Sequence, residues 1–460
     1  MPTSSRRLSF VLLAALAAAV LPWVALRAEE PGAAVAEAVR VTGRLEKRGP
    51  QTVLTLWGTP RERGFAHGYL LADSLLAGAE HDFGQLLKPF LPMYEGFVRG
   101  KIVPNFALDA REREEVEGLI EGLKAKRGED GVRVEALGRA FDITDLIALN
   151  TFGDWYGMGC SSLAVWGRHS KDGTPRVGRN FDFPAFDLVT DHGLVVVRAP
   201  DGEYAGSVAV TYPGCIGLLT GQSERGVFVS VHDVPVRAPT AQLRPGNVPR
   251  LLALRRLLER VQGDTPTTQA RTLLAAWPTM YGNNLMVMAG HAKEGEPLAA
   301  VMEYDGREDV HDGVTQRTPE PGVPALEGGT DPLIACTNDH LLRDGLARSG
   351  PTQCWRYPLL IEGAHGDKPL AFDVATLFDR MGRASFPRGE GNLERAAGVM
   401  GVKRTNGFGT LHQVVGEPAL GHLHIRMARL GSRVEKEPAI DYDVPAVVKA
   451  AAPADDQASR

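Results

Sequence analysis

Apolar residues change their rhythm several times along the chain, and each change marks a segment. An apolar run from Phe10 to Leu26 comes first, with Arg6 and Arg7 before it and Arg27-Ala28-Glu29-Glu30 after it. A basic start, an apolar stretch and a turn to small and acidic residues form the pattern of a secretory signal peptide cut near Ala28. Residues 1–28 are therefore expected to direct the protein to the periplasm or outside the cell. An uncleaved N-terminal anchor is the alternative, though the run is slightly short for a membrane span. From about 41 to 159 the pattern predicts a mainly helical segment. Asp109–Lys124 sets Val116, Leu119, Ile120 and Leu123 at helical spacing beside the charged run Arg111–Glu115, and Asp145–Asn150 repeats the habit.

At residue 160 the pattern turns to strands. Ser161–Trp166 and Val177–Phe183 flank a Lys171-Asp172-Gly173 turn and read as a hairpin. Gly193–Arg198, Tyr204–Tyr212 and Gly226–Val234 follow as Val-rich strands bounded by Gly, Pro or Asp. Two helices come next, one capped by Asn247 with leucines from Leu251 to Leu258, the other over Thr267–Trp277. Strands resume at Leu285–Met288, Leu298–Tyr304 and Leu333–Thr337, with Gly306–Asp331 as a surface loop. A helix over Asp373–Met381 and strands at Thr410–Val415 and His422–Met427 complete the pattern, and 446–460 reads as a disordered tail. Strands, then helices, then strands predict an α+β architecture of two sheets faced by helices, the main unit spanning 160–430.

The 460 residues, 43% hydrophobic and 23% charged, suffice for a large core. A net charge of −5 is too mild to point to nucleic acid, an acidic ligand or electrostatic membrane docking. Of four cysteines (Cys160, Cys215, Cys336 and Cys354), an exported protein could pair several, and Cys336 with Cys354 is one such pairing. His422 and His424 alternate on one strand, but no further ligands match them, so no metal site is expected. Asn283, Asn284 and Glu303 are polar beside apolar strands, a pattern that turn and strand-edge duties explain. Ser161 and Ser162 lack the glycine-flanked elbow of serine hydrolases.

Four short motifs carry candidate chemistry: Gly159-Cys160-Ser161-Ser162, Gly178-Arg179-Asn180-Phe181-Asp182, Thr337-Asn338-Asp339-His340 and Trp355-Arg356-Tyr357. The hairpin brings Arg179 and Asp182 near Cys160, and a guanidinium beside a thiol lowers its pKa from roughly 8.5. Their separation by three places them on opposite faces of an ideal strand, so one shared site needs a bulge or a split of duty. A surface ion pair on an ordinary hairpin explains the pattern as well.

In order and spacing these motifs resemble the Ntn-hydrolase superfamily, in particular choloylglycine hydrolases, penicillin V acylases and the peptidase/acyltransferase relatives of penicillin acyltransferase. Gly58-Thr59-Pro60 through Gly64-Phe65-Ala66-His67-Gly68, and Asn150, resemble the acyltransferase branch, which is also polar at the places of Asn283, Asn284 and Glu303. The resemblance implies a four-layer αββα sandwich following an N-terminal helical (pro-)segment, and self-cleavage between Gly159 and Cys160. The freed α-amine, with a reference pKa near 8, would be the general base and the Cys160 thiol the nucleophile. By the same resemblance Arg179 stabilises the thiolate, Asp182 orients the amine and Asn338 holds the oxyanion. Arg356 is a distal arginine, with Trp355 standing where relatives have serine. Asp233 occupies a place where relatives carry Asn or Tyr, and an ionised Asp cannot donate to an oxyanion. It therefore contributes through its backbone, points away, or is protonated. The implied activity is hydrolysis or transfer of the acyl group of a linear N-acyl amide through a Cys160 thioester. The partner is a small-molecule substrate; no metal, organic cofactor, nucleic acid or lasting membrane insertion is expected, and a homo-oligomer is left open. A phospholipase-B-like ester hydrolase and an uncleaved, non-catalytic binding protein of the same fold are the alternatives.

Overall fold

The computed structural model describes residues 40–81, 91–151, 154, 159–184, 193–235, 242–319, 332–343, 354–364, 370–385, 408–429 and 432–453. The expected signal peptide lies outside these residues.

The chain begins with strands β1 (Gly43–Arg48) and β2 (Gln51–Leu56), then helices α1 (Pro60–Leu70), α2 (Ala72–His81), α3 (Ala110–Arg127) and α4 (Ile143–Asn150). The hairpin follows as β3 (Gly159–Gly167) and β4 (Gly173–Pro184). After it come β5 (Leu194–Arg198), β6 (Ser207–Thr211), β7 (Thr220–Ser223) and β8 (Val227–Val234). Helices α5 (Arg250–Arg260) and α6 (Pro266–Ala275) lead to β9 (Gly282–Ala289), β10 (Ala299–Tyr304), β11 (Val314–Arg317) and β12 (Leu333–Cys336). Helices α7 (Arg356–Ile361) and α8 (Val374–Arg383), strands β13 (Phe408–Glu417), β14 (His422–Met427) and β15 (Ile440–Asp443), and helix α9 (Val444–Lys449) end the fold.

Among the described residues, apart from a two-residue ladder of Arg133–Val134 with Arg139–Ala140, the strands form a nine-stranded sheet, β1-β2-β5-β6-β7-β8-β9-β10-β11, and a six-stranded sheet, β12-β3-β4-β13-β14-β15. Strand alternation shows how they stack. Val195 and Val197 of β5, with Phe228 of β8, share one core with Ala164, Val177, Val414 and Ile425 of the smaller sheet, so the two sheets pack face to face. Val229 and Val231 point the other way, onto Leu251, Leu254 and Leu258 of α5. Leu163 and Val165 of β3 pack outward against Leu360 of α7 and Leu377 and Met381 of α8. Helices, sheet, sheet, helices: the architecture is the αββα sandwich expected. Strand β5 is buried on both faces, which is why Leu194-Val195-Val196-Val197 reads as one apolar run.

The segment before Cys160 is more than a helical appendage, contrary to the reading of 41–159. β1 and β2 belong to the large sheet, with β2 parallel to β5. Gln51 donates to the Ile425 carbonyl at 2.6 Å and accepts from the Tyr442 hydroxyl at 2.7 Å, tying both sheets to the N-terminal strands. β1 is Gly-Arg-Leu-Glu-Lys-Arg, with no apolar run to mark it, and β2 shows its partner β5 only in three dimensions. Helices α1 and α3 then cross backbone to backbone. A Cβ on Gly64, Gly68, Gly118 or Gly122 would collide with the opposing carbonyls of Glu115, Leu119, Arg61 and Phe65.

Helix α5 is buried all round because α3 covers the face that the sheet leaves open. Its charges are paired there: Arg255 contacts Glu115 at 2.6 Å and Arg256 contacts Glu112 at 2.7 Å. Burial works against ionised Glu115, yet Arg255 and Arg198 outweigh it and hold its pKa below the ordinary value. Asn247 does not cap this helix. Pro249 occupies the cap, Asn247 accepts from the Arg244 N–H at 2.7 Å, and the Asp154 carboxylate accepts the first helical N–H, of Arg250, at 3.0 Å. Two further expectations change. Strand β11 lies inside the stretch read as a loop from Gly306, held by Arg317 pairing with Glu303 of β10. The tail read as disordered from 446 instead includes most of α9, whose Val444 and Val448, with Ala451, are buried in the inter-sheet core; residues 454–460 lie outside the described residues.

Because α1 and α3 meet through glycine backbones, Gly64→Ala should lower stability by about 1–3 kcal/mol through overpacking. Thermal unfolding checks this: a reduced Tm is expected, and an unchanged Tm contradicts backbone contact.

Candidate active site

β3 and β4 pair in regular register at the end that bears Cys160: Gly159 opposes Asp182, and Ser162 opposes Arg179. No bulge intervenes there, so Arg179 and Asp182 do face opposite sides of the small sheet. Cys160, like Ala164, faces the large sheet, and its sulfur accepts from Arg179 Nη2 at 3.2 Å. The same guanidinium donates to the Val231 carbonyl at 3.1 Å and, through Nη1, to His412 Nε2 at 2.7 Å. Burial drives the His412 pKa well below the ordinary value, with Arg179 adding to it, so the ring is neutral and can accept.

Asp182 serves the other face. Its carboxylate pairs with Arg356 of α7 and accepts from Thr410 at 2.5 Å. Arg356 also donates to Asn338 Oδ1 at 2.5 Å, and that oxygen accepts the Cys160 backbone N–H at 2.9 Å. The split of duty is thus literal: Arg179 addresses the sulfur of Cys160, while Asp182, Arg356 and Asn338 form a chain ending on its backbone nitrogen. All five residues singled out in the sequence are brought together.

The electrostatics differ from the expectation in one respect. Burial pushes the Cys160 thiol up to about 12; Arg179 and Arg356 pull it down, while Asp233 and Asp182 push it further up. Desolvation wins, and the Cys160 thiol is neutral at pH 7 rather than the thiolate that the arginine alone suggests. Burial raises the Asp182 pKa, against the opposing pull of Arg356, Thr410 and Arg179. For Arg356 burial lowers the pKa, but Asp182 and the Cys354 sulfur outweigh it and leave it raised.

Asp233 turns its carboxylate away from Cys160 and onto buried Arg250. Its backbone carbonyl accepts from Asn338 Nδ2 at 2.6 Å. Of the readings open for Asp233, its carboxylate points away and its main chain meets Asn338. All four cysteines are free thiols, so Cys336 and Cys354 are not joined. Cys354 instead accepts from Arg356 Nε at 3.2 Å. Among the described residues no cluster of His, Cys, Asp and Glu could hold a metal ion, and His422 and His424 pair with Asp441 and Glu417.

His67 of α1 and Asn150 of α4 lie elsewhere, against the loop after Tyr212. His67 Nε2 accepts the Gly214 N–H at 2.9 Å, while Asn150 grips the Gly214 carbonyl and the Ile216 N–H, each at 2.8 Å. Burial lowers the His67 pKa to about 3, and Arg198 and Arg255 add to this, as its acceptor role requires.

Thr410 and His412 escape a reading of the sequence. On a regular strand they would share a face. A register shift between them in β13 inserts one extra residue, so Thr410 reaches Asp182 on one side and His412 reaches Arg179 on the other. No sequence signal marks that bulge.

No family model and no curated protein matches the chain. Solved structures align loosely. An N-acylethanolamine-hydrolyzing acid amidase ortholog from Caenorhabditis elegans is 13% identical over 57% of this chain and 94% of its own, with a TM-score of 0.38. A conjugated bile acid hydrolase from Clostridium perfringens is 11% identical over 62% and 96%, with a TM-score of 0.38. Penicillin V acylase from Agrobacterium tumefaciens is 14% identical over 58% and 83%, with a TM-score of 0.33. Likeness this loose assigns no chemistry, and the site's own geometry has to supply it.

Asp154 offers a pH test near the site. Burial raises its pKa to about 7, against the pull of the Arg250 charge and N–H, with Asp233 pushing it up further. With the folded value above the ordinary 3.8, its contribution to stability is fully present below about pH 4 and lost as pH rises through about 7. Wild-type Tm should therefore fall relative to that of Asp154→Asn between pH 5 and 8; parallel Tm profiles would show that another group titrates.

Proposed function

We propose that the protein is a self-processing cysteine hydrolase that cleaves, or transfers, the acyl group of a linear N-acyl amide. The observation that carries the reading is the separate gripping of the two functional atoms of Cys160, sulfur by Arg179 and nitrogen by Asn338. A cysteine with only a structural or redox duty has no need of an ordered hydrogen-bond chain ending on its backbone nitrogen.

In the uncut chain that nitrogen is an amide and cannot act as a base. Attack of Cys160 Sγ on the Gly159 carbonyl forms the C–S bond and breaks the C–N bond, the thiol proton passing to the departing nitrogen, so that the acyl group moves from nitrogen to sulfur and the nitrogen becomes an amine. Water then hydrolyses the resulting thioester, leaving a Gly159 carboxylate and a free α-amine on Cys160. The amine takes the proton of the neutral thiol, and the sulfur attacks the substrate carbonyl. Asn338 Nδ2 is the donor we assign to the tetrahedral oxyanion, a task worth about 3 kcal/mol per donor. The amine returns the proton to the leaving nitrogen, and water, or another amine, takes the acyl group from sulfur. Arg179 favours sulfur as it gains charge, and the Asp182–Arg356 pair fixes where the amine and Asn338 stand. Nucleophile and base belong to one residue, so their proximity needs no ordering of two elements.

The segment before the cut should stay attached, because β2 is paired within the large sheet and Glu112 and Glu115 are buried against α5. The export expected from residues 1–28 belongs to the same proposal.

The test uses a fatty-acyl anilide and rapid acid quench. Wild-type protein should carry the acyl mass on the fragment that begins at Cys160, and Cys160→Ala should lose both the adduct and anilide turnover. Full turnover by Cys160→Ala contradicts the proposal. An adduct formed from the matched ester but never from the amide favours ester hydrolysis. A single uncut chain whose thiol resists alkylation is the signature of a binding protein.

A further inference from the structure

Asn338 sits on the loop that follows β12, and β12 is an edge strand of the small sheet. A side chain on such a loop is only as well placed as its backbone. The backbone here is held from the opposite sheet. Asn284, on β9, spends both Nδ2 hydrogens on the carbonyls either side of Asn338: Thr337 O at 2.9 Å and Asp339 O at 2.8 Å. Both acceptors are main-chain carbonyls, which fixes which end of the amide is nitrogen.

Asn284 is itself tied to the strand of the nucleophile. Its backbone carbonyl takes the Nδ1 hydrogen of His232 at 3.1 Å, and His232 Nε2 lies 2.7 Å from the Ser162 hydroxyl. A carbonyl can only accept, so the ring proton is on Nδ1 and Ser162 donates to Nε2. Burial, with Arg179, keeps the His232 pKa well below the ordinary value, consistent with that tautomer. Ser162 is on β3, the strand that begins beside Cys160.

We infer that Asn284 is a positioning residue for Asn338: it brackets the Asn338 backbone and, through His232 and Ser162, sets that residue's place relative to Cys160. This rests on the reading of Cys160 as the self-cleaving nucleophile. Glu303 secures the far side of the same loop, its carboxylate accepting the N–H groups of Leu341, Leu342 and Arg343 at 2.8, 2.9 and 2.7 Å. That anchor holds the loop as a whole, whereas Asn284 holds the two peptide units that aim the Asn338 side chain.

Scission at Gly159–Cys160 gives a readout that needs no substrate. The full chain would be made by cell-free synthesis and the cut fraction followed by intact mass for wild type, Asn338→Ala, Asn284→Ala and the double variant. Because Asn338 Oδ1 holds the N–H of the scissile Gly159–Cys160 peptide, each single variant should slow scission about 10- to 100-fold, less than the full loss of an oxyanion donor. The double variant should match Asn338→Ala to within about twofold, because a residue acting only through Asn338 has nothing left to act through. A purely structural role would add its full factor in the double variant, and that result overturns the inference. So does scission by Asn284→Ala within about twofold of wild type. If Asn284→Ala shows no unfolding transition, Asn284→Asp replaces it, keeping the volume while losing both donors. Failure of wild type to cut, or cutting by Cys160→Ala, sinks the reading of Cys160 and the inference with it. Additive slowing with Cys160 still required sinks the inference alone.

Discussion

Everything at the site depends on a buried ion pair at the end of one β-hairpin. Asp182 and Arg356 are both withdrawn from water, a cost that only close pairing and further hydrogen bonds can offset. They receive both: Thr410 donates to the carboxylate, and Arg356 spends a second nitrogen on Asn338. The pair therefore aims Asn338 at the Cys160 nitrogen while leaving the sulfur to Arg179 on the other face. A charge pair on the surface would be worth too little to impose such order.

The sandwich supplies the burial that makes this arrangement strict. Cys160 lies between sheets, so its sulfur meets the Val231 strand of the large sheet through Arg179, and Asn338 meets the Asp233 carbonyl of the same strand. Strand β8 thus touches both halves of the site from across the layer boundary. The helical segment before Cys160 closes the outer face of the large sheet, and its glycine-packed α1–α3 pair brings buried acids onto α5. Layer packing and site geometry are consequences of the same alternation along a few strands.

How much of this can be read from the residues differs from element to element. The hairpin, the α5 and α6 helices and the layered architecture follow from period and turn chemistry, which are local. The five residues from Cys160 to Arg356 carry local motifs, although their convergence depends on a resemblance rather than on spacing. The hidden part is non-local. β1 has no apolar run to mark it and β2 looks like an ordinary short apolar run until β5 pairs with it, and β11 is recognisable as a strand only once its backbone pairs with β10. Thr410 and His412 reach opposite faces only through a bulge. Asn284 and Glu303, plain polar residues beside strands, prove to hold the Asn338 loop. The thiol pKa runs against its local reading for a physical reason: the neighbouring arginine is visible in the chain, but the completeness of burial is not.

The claim at the centre is that the Cys160 backbone nitrogen becomes a free amine. N-terminal sequencing and intact mass of the purified protein, run before and after denaturation, test it most directly. The account predicts two fragments that travel together until denatured, one of them starting Cys-Ser-Ser-Leu. An amide-hydrolysing protein whose Gly159–Cys160 bond is whole would contradict it.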